Sequence, residues 1–191
     1  MIEAILTSAS VVALAEIGDK TMLLAIVLAT RFRKPLPIII GILVATLANH
    51  GIAAFLGQTI AGLLDGLWFR FAVGAGFVAM AVWTLVPDKL DEDEAPGTSR
   101  FGAFLTTTIA FFIVEIGDKT QVATVALGAR FQDVLLVTLG TTAGMMLANV
   151  PAVWFGQRIV DVVPLKLVRT IAAALFLAIG LWVIAQAANW P

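Results

Sequence analysis

The chain has 191 residues, 60% of them hydrophobic and 13% charged, with a formal net charge of −1 and a mean hydropathy of +1.00. A soluble domain carries about twice that share of charge, so the composition is that of an integral membrane protein, with no basic surface for nucleic acid. The absence of cysteine excludes disulfides, thiolate metal sites and cysteine nucleophiles.

Six apolar stretches follow one another, near residues 3–29, 36–63, 68–87, 101–128, 133–160 and 165–188. Each is close to the ~20 residues that a helix needs to cross a bilayer. The first begins Met-Ile-Glu without a basic n-region, unlike a cleaved signal peptide, and holds Glu16-Ile17-Gly18-Asp19-Lys20-Thr21. Arg31-Phe32-Arg33-Lys34-Pro35 separates it from the second stretch, which carries Asn49 and His50. After the third stretch comes an acidic, turn-rich segment at 88–100, read as a solvated linker. The fourth holds Glu115-Ile116-Gly117-Asp118-Lys119-Thr120, followed by Gln121, and the fifth holds Asn149.

The halves repeat each other. Glu16 matches Glu115 and Arg31-Phe32 matches Arg130-Phe131, both at an offset of 99. Leu47-Ala48-Asn49 resembles Leu147-Ala148-Asn149, which sets His50 opposite Val150. Arg70, Phe77 and Trp83 match Arg169, Phe176 and Trp182. The reading is an internal duplication, with repeats at 1–87 and 101–191 joined by the linker at 88–100. Three spans per repeat is an odd number, so the second repeat enters the membrane from the opposite side. The expected fold is therefore an all-α membrane protein of six transmembrane helices, arranged as two inverted three-helix repeats. Loops after the first, third and fifth spans hold eight Lys or Arg residues and the other side holds two, Arg70 and Arg130. That bias puts the 88–100 segment in the cytoplasm and both termini outside it.

Ionisable residues inside a membrane span are costly and mark function. Residues three apart share a helix face, so in a continuous helix Glu16 and Asp19 point one way, as do Glu115 and Asp118. The pseudo-two-fold axis then brings four carboxylates together at mid-depth. With Lys20 and Lys119 they sum to −2, which a divalent cation neutralises. Oxygen donors suit calcium, magnesium or manganese. Asn49 and Asn149 are candidate neutral ligands or interhelical hydrogen-bond partners. Gly18 and Gly117 could loosen the helix and free carbonyls, and Thr21 and Thr120 could reach a ligand or their own helix. Gln121 has Met22 as its mate, so any role for it is asymmetric. Opposite Val150, His50 gives no support for an imidazole-rich site and is read as a packing residue, with a proton relay as the alternative.

The doubled pattern Glu-x-Gly-Asp-Lys-Thr resembles that of the Gdt family of cation/proton exchangers. The likeness covers essentially the whole chain. It implies an antiporter moving Mn²⁺ or Ca²⁺ against protons, with the motif acids as ion ligands and no permanent cofactor. It also implies a bacterial inner-membrane setting and a preference for manganese. A passive cation channel is one rival. An intramembrane aspartyl protease using Asp19 and Asp118 is another, although a protease dyad needs neither the Glu before nor the Lys after each Asp.

Overall fold

In the computed structural model, which describes residues 1–64, 66–87, 102–156, 158 and 162–188, the chain breaks where each hexapeptide sets glycine before aspartate. The first helix, α1 (Ile2–Glu16), stops at Glu16 because Ile17 turns extended and Gly18 adopts φ +84°. That left-handed region is open to glycine and strained for other residues. Asp19 then caps the next helix, α2 (Lys20–Phe32), its Oδ1 accepting from the Lys20 N–H at 2.7 Å. The second hexapeptide repeats the device. Helix α5 (Ala103–Glu115) ends before Gly117 at φ +79°, and Asp118 caps α6 (Lys119–Phe131) through the Thr120 N–H. An aspartate cap satisfies an otherwise orphaned N–H at a helix start.

The remaining helices among the described residues are α3 (Pro35–Leu63), α4 (Leu67–Thr84), α7 (Val134–Phe155) and α8 (Leu165–Ala187). Pro35 opens α3, where its missing N–H is harmless. These four are long and apolar enough to cross a membrane. The expectation of a continuous helix through residues 3–29 and 101–128 is corrected: each of those stretches is two shorter helices. The 88–100 segment lies outside the described residues.

Packing exchanges the two halves. Helix α1 lies on α7 as α5 lies on α3, α6 lies on α3 as α2 lies on α7, and α4 pairs with α8. Phe77 and Phe176, repeat mates, meet with ring centroids 6.4 Å apart. Two buried clusters result. One gathers Val12, Leu28, Ile42, Phe111 and Met145; the other gathers Val11, Phe77, Leu127, Val137 and Phe176. Outward-facing positions such as Phe55, Leu147 and Trp182 stay exposed, as a lipid-facing surface requires.

Lipid tails are as apolar as the helices, so helix association depends on close packing at small residues. Gly57 shows the limit: a Cβ there would lie 2.0 Å from the Val125 carbonyl oxygen on α6. Gly62, on the same helix, has nothing within 4 Å. Gly57→Val should therefore destabilise the protein in detergent by about 1–3 kcal/mol, while Gly62→Val stays within about 0.5 kcal/mol of the parent. Equal thermal unfolding midpoints for the two variants would contradict this packing.

Candidate functional site

The two helix breaks set the site. Each ends one helix on a glutamate and starts the next on an aspartate, so the chain presents its acids at helix ends. The expected shared helix face of Glu16 with Asp19, and of Glu115 with Asp118, does not form, because the helix stops between them. All four carboxylates are nonetheless buried. Asn149 of the second half reaches Glu16 and Lys20 of the first reaches Asp118, so the two hexapeptides are joined across the halves. Among the described residues, no three Asp, Glu or His side chains converge on one point; the acids gather without closing around an ion.

The lysines reach across the halves, and the threonine hydroxyls do not. Lys20 Nζ lies 3.8 Å from Asp118 Oδ1, an ion pair between the two hexapeptides. Lys119 is buried and donates to the Val86 carbonyl at 3.0 Å, at the end of α4. Thr120 Oγ1 donates a short hydrogen bond to Glu115 Oε1 and lies 3.3 Å from Asp118 Oδ2. Its mate Thr21 is fully buried with no hydrogen-bond partner for Oγ1.

The amides divide. Asn149 donates to Glu16 Oε1 at 3.4 Å and to the Met145 carbonyl at 3.1 Å, leaving its buried Oδ1 without a partner. Asn49 is spent on the protein: it donates to the Phe112 carbonyl at 3.1 Å and accepts a short hydrogen bond from Gln121. Gln121 Oε1 in turn accepts from the Gly117 N–H at 2.7 Å. Asn49 and Gln121 thus tie α3 to the second helix break.

Sequence comparison missed the residue that faces Glu115. His50 Nε2 lies 3.3 Å from Glu115 Oε1, and both side chains are buried. This is the place that Asn149 takes against Glu16. The pairing of His50 with Val150 is therefore corrected by one residue: the offset of 99 holds through the second helix of each half. Backbone contacts agree. A Cβ at Gly41 would meet the Phe104 carbonyl and Thr107, and one at Gly140 would meet the Ile5 carbonyl and Ser8, each pair 99 apart. The local Leu-Ala-Asn likeness hid this register.

The two breaks also differ in cover. Leu165 stands 2.8 Å from a Cβ built on Gly18, and Arg169 Nη2 donates to the Gly18 carbonyl at 3.3 Å. Among the described residues, nothing lies within 4 Å of such a Cβ on Gly117, which is exposed, as is Arg70, the mate of Arg169. The residue 99 before Leu165 is Gly66, which offers no side chain to cover the second break.

The family description "Divalent cation/proton antiporter GDT1" matches residues 4–92 and, again, 103–191. The chain is 51% identical over 175 residues to a Vibrio cholerae serotype O1 protein named "Putative manganese exporter", covering 91% of this chain and 86% of that one. Identity to "GDT1-like protein 3" of Oryza sativa subsp. indica is 26% over 205 residues, covering 93% of this chain and 72% of that one. Identity to "Protein PAM71-homolog, chloroplastic" of Arabidopsis thaliana is also 26%, covering 88% of this chain and 55% of that one. No solved structure matches.

A sign test separates broken from continuous helices at the hexapeptides. Alanine in the left-handed region costs about 1–2 kcal/mol, so Gly117→Ala should lower stability in detergent despite the open space around it. In a continuous helix the same change would raise stability by up to about 1 kcal/mol. Thermal unfolding of the purified variant reads the sign directly.

Proposed function

The chain belongs to the GDT1 family, and on that footing we propose that it is a secondary active transporter exchanging a divalent cation, Mn²⁺ in preference to Ca²⁺, for protons. The observation that carries the reading is the burial of four acids from both hexapeptides, joined across the halves by the Lys20–Asp118 pair. Glu16, Asp19, Glu115 and Asp118 supply the charge for one cation, and Asn149 Oδ1 supplies a neutral donor. Manganese is favoured by the likeness to the Vibrio cholerae protein.

The proposed architecture is six spans in two inverted repeats. Helices α1 and α2 form the first span and α5 and α6 the fourth, each broken at mid-depth. The twofold match of the family description supports the division into residues 1–87 and 101–191. Broken spans that meet at the interface of two repeats are a recurrent way to build an ion site in a transporter. Both termini lie outside the cytoplasm, in the inner membrane of a bacterium. The protein acts without a permanent cofactor.

Coupling follows from sharing. Carboxylates that lose the cation take up protons, and the protons leave when the next cation binds. Alternating access comes from movement of one repeat against the other. The unequal cover of Gly18 and Gly117 supports such movement: α8 lies over the first break, while among the described residues nothing covers the second.

In proteoliposomes with an imposed pH gradient, Mn²⁺ uptake should dissipate the gradient. The apparent affinity for Mn²⁺ should fall as pH falls, because protons and cation compete for the same oxygens. Asp19→Asn and Asp118→Asn should abolish uptake while expression and elution profile stay normal. Uptake with no proton movement would instead indicate a passive channel. Normal transport by both variants would reduce the acids to a structural lock.

A further inference from the structure

A cavity of 430 Å³ lies at the end of the bundle where α1 begins, and none of its lining residues belongs to a hexapeptide. The ends of α3, α6 and α8 and the start of α4 wall it, so both halves contribute. Its volume is that of a small-ligand site. Arg70, Arg130 and Glu3 line it together with the amide of Gln186, and Val73 and Val183 belong to its apolar side. Among the described residues, two guanidiniums and one carboxylate leave the lining with a net charge of +1. That charge repels a dication and favours an anion.

Arg130 is short of acceptors. Its Nη2 lies 3.7 Å from Glu3 Oε1, on a side chain that is 73% exposed, and a pair with so exposed a carboxylate contributes little. Its Nε is buried without a hydrogen-bond partner. A guanidinium offers five N–H donors in a planar fork that matches phosphate oxygens. The imperfect repeat accounts for the room and the charge left here. Arg169 gives Nη2 to the Gly18 carbonyl, with Leu165 packed beside it. Their mates are Arg70 and Gly66, and both line the cavity. Glycine in place of leucine leaves the corner unfilled.

We infer that this cavity binds an anionic phospholipid, whose phosphate is held by Arg70 and Arg130. Three of the helices around it are long and apolar enough to cross a membrane, and they end or begin at the cavity, where headgroups meet the end of a span. A lipid sets its phosphate against the arginines and its glycerol and acyl carbons against Val73 and Val183, which a free anion cannot do. Because the walls come from both halves, the lipid bridges them at this end.

Native mass spectrometry of the purified, delipidated protein tests the site, with phosphatidylglycerol and phosphatidylcholine as probes. Both carry a phosphate, but the choline ammonium cancels its charge. Phosphatidylglycerol should bind roughly fivefold more tightly or better, and Arg70→Gln and Arg130→Gln should each weaken it by a similar factor. Arg70 is exposed, so its variant reads binding even if Arg130→Gln folds poorly. Lys166→Gln, which removes an exposed charge at the opposite end of α8, should leave the affinity unchanged. Equal affinity for the two lipids would overturn the site. So would phosphatidylglycerol binding that neither arginine variant weakens, or that Lys166→Gln weakens equally. Displacement of the lipid by inorganic phosphate at comparable concentration would overturn the lipid assignment in favour of a bare anion.

Discussion

A carboxylate buried in an apolar chain must be matched by a cation, by hydrogen-bond donors or by a bound ion, because its charge is otherwise too costly to hold. This chain buries four of them. The requirement explains the helix breaks: an intact helix uses its own N–H groups internally and has none to spare, whereas a new helix start offers free donors. Asp19 and Asp118 take those donors as caps. The glutamates are the last residues of the preceding helices and reach to the neighbouring repeat, Glu16 to Asn149 on α7 and Glu115 to His50 on α3. Each half thereby contributes to the other: the aspartates are capped within their own repeats, and each glutamate also meets a side chain of the opposite one.

Much of this was legible in the sequence, because hydrophobic length and duplication are strong signals. The six apolar stretches, the two hexapeptides and the burial of acids inside apolar segments follow from pattern alone. The helix breaks were half legible. Gly18 was marked as a place where the helix could loosen, but the three-residue spacing of Glu16 and Asp19 was read as one helix face. Glycine followed directly by aspartate is also the signature of one helix ending and another being capped, and that signal was the decisive one. The role of His50 was hidden for a different reason. A short local identity, Leu-Ala-Asn, outweighed the offset kept by every other marker. Only packing against α1 and α5 fixes the register, since the slip changes which residue faces the acids without altering hydrophobic pattern.

The duplication is imperfect where it matters for direction. Gln121 and Asn49 bind the second break to α3, with no equivalent in the first half, where Met22 replaces Gln121. Leu165 and Arg169 cover the first break, and Gly66 gives no such cover to the second. A transporter that faces two different solutions has no reason to keep its halves identical. On the proposed reading the duplicated acids provide a common site, and the unequal neighbours make its two approaches distinct.

The central claim is that both hexapeptides build one ion site and not two. Equilibrium binding of Mn²⁺ to the purified protein tests it most directly. One ion per chain is predicted, with binding lost entirely in Glu16→Gln and equally in Glu115→Gln. Two ions per chain, with each variant keeping one, would contradict it.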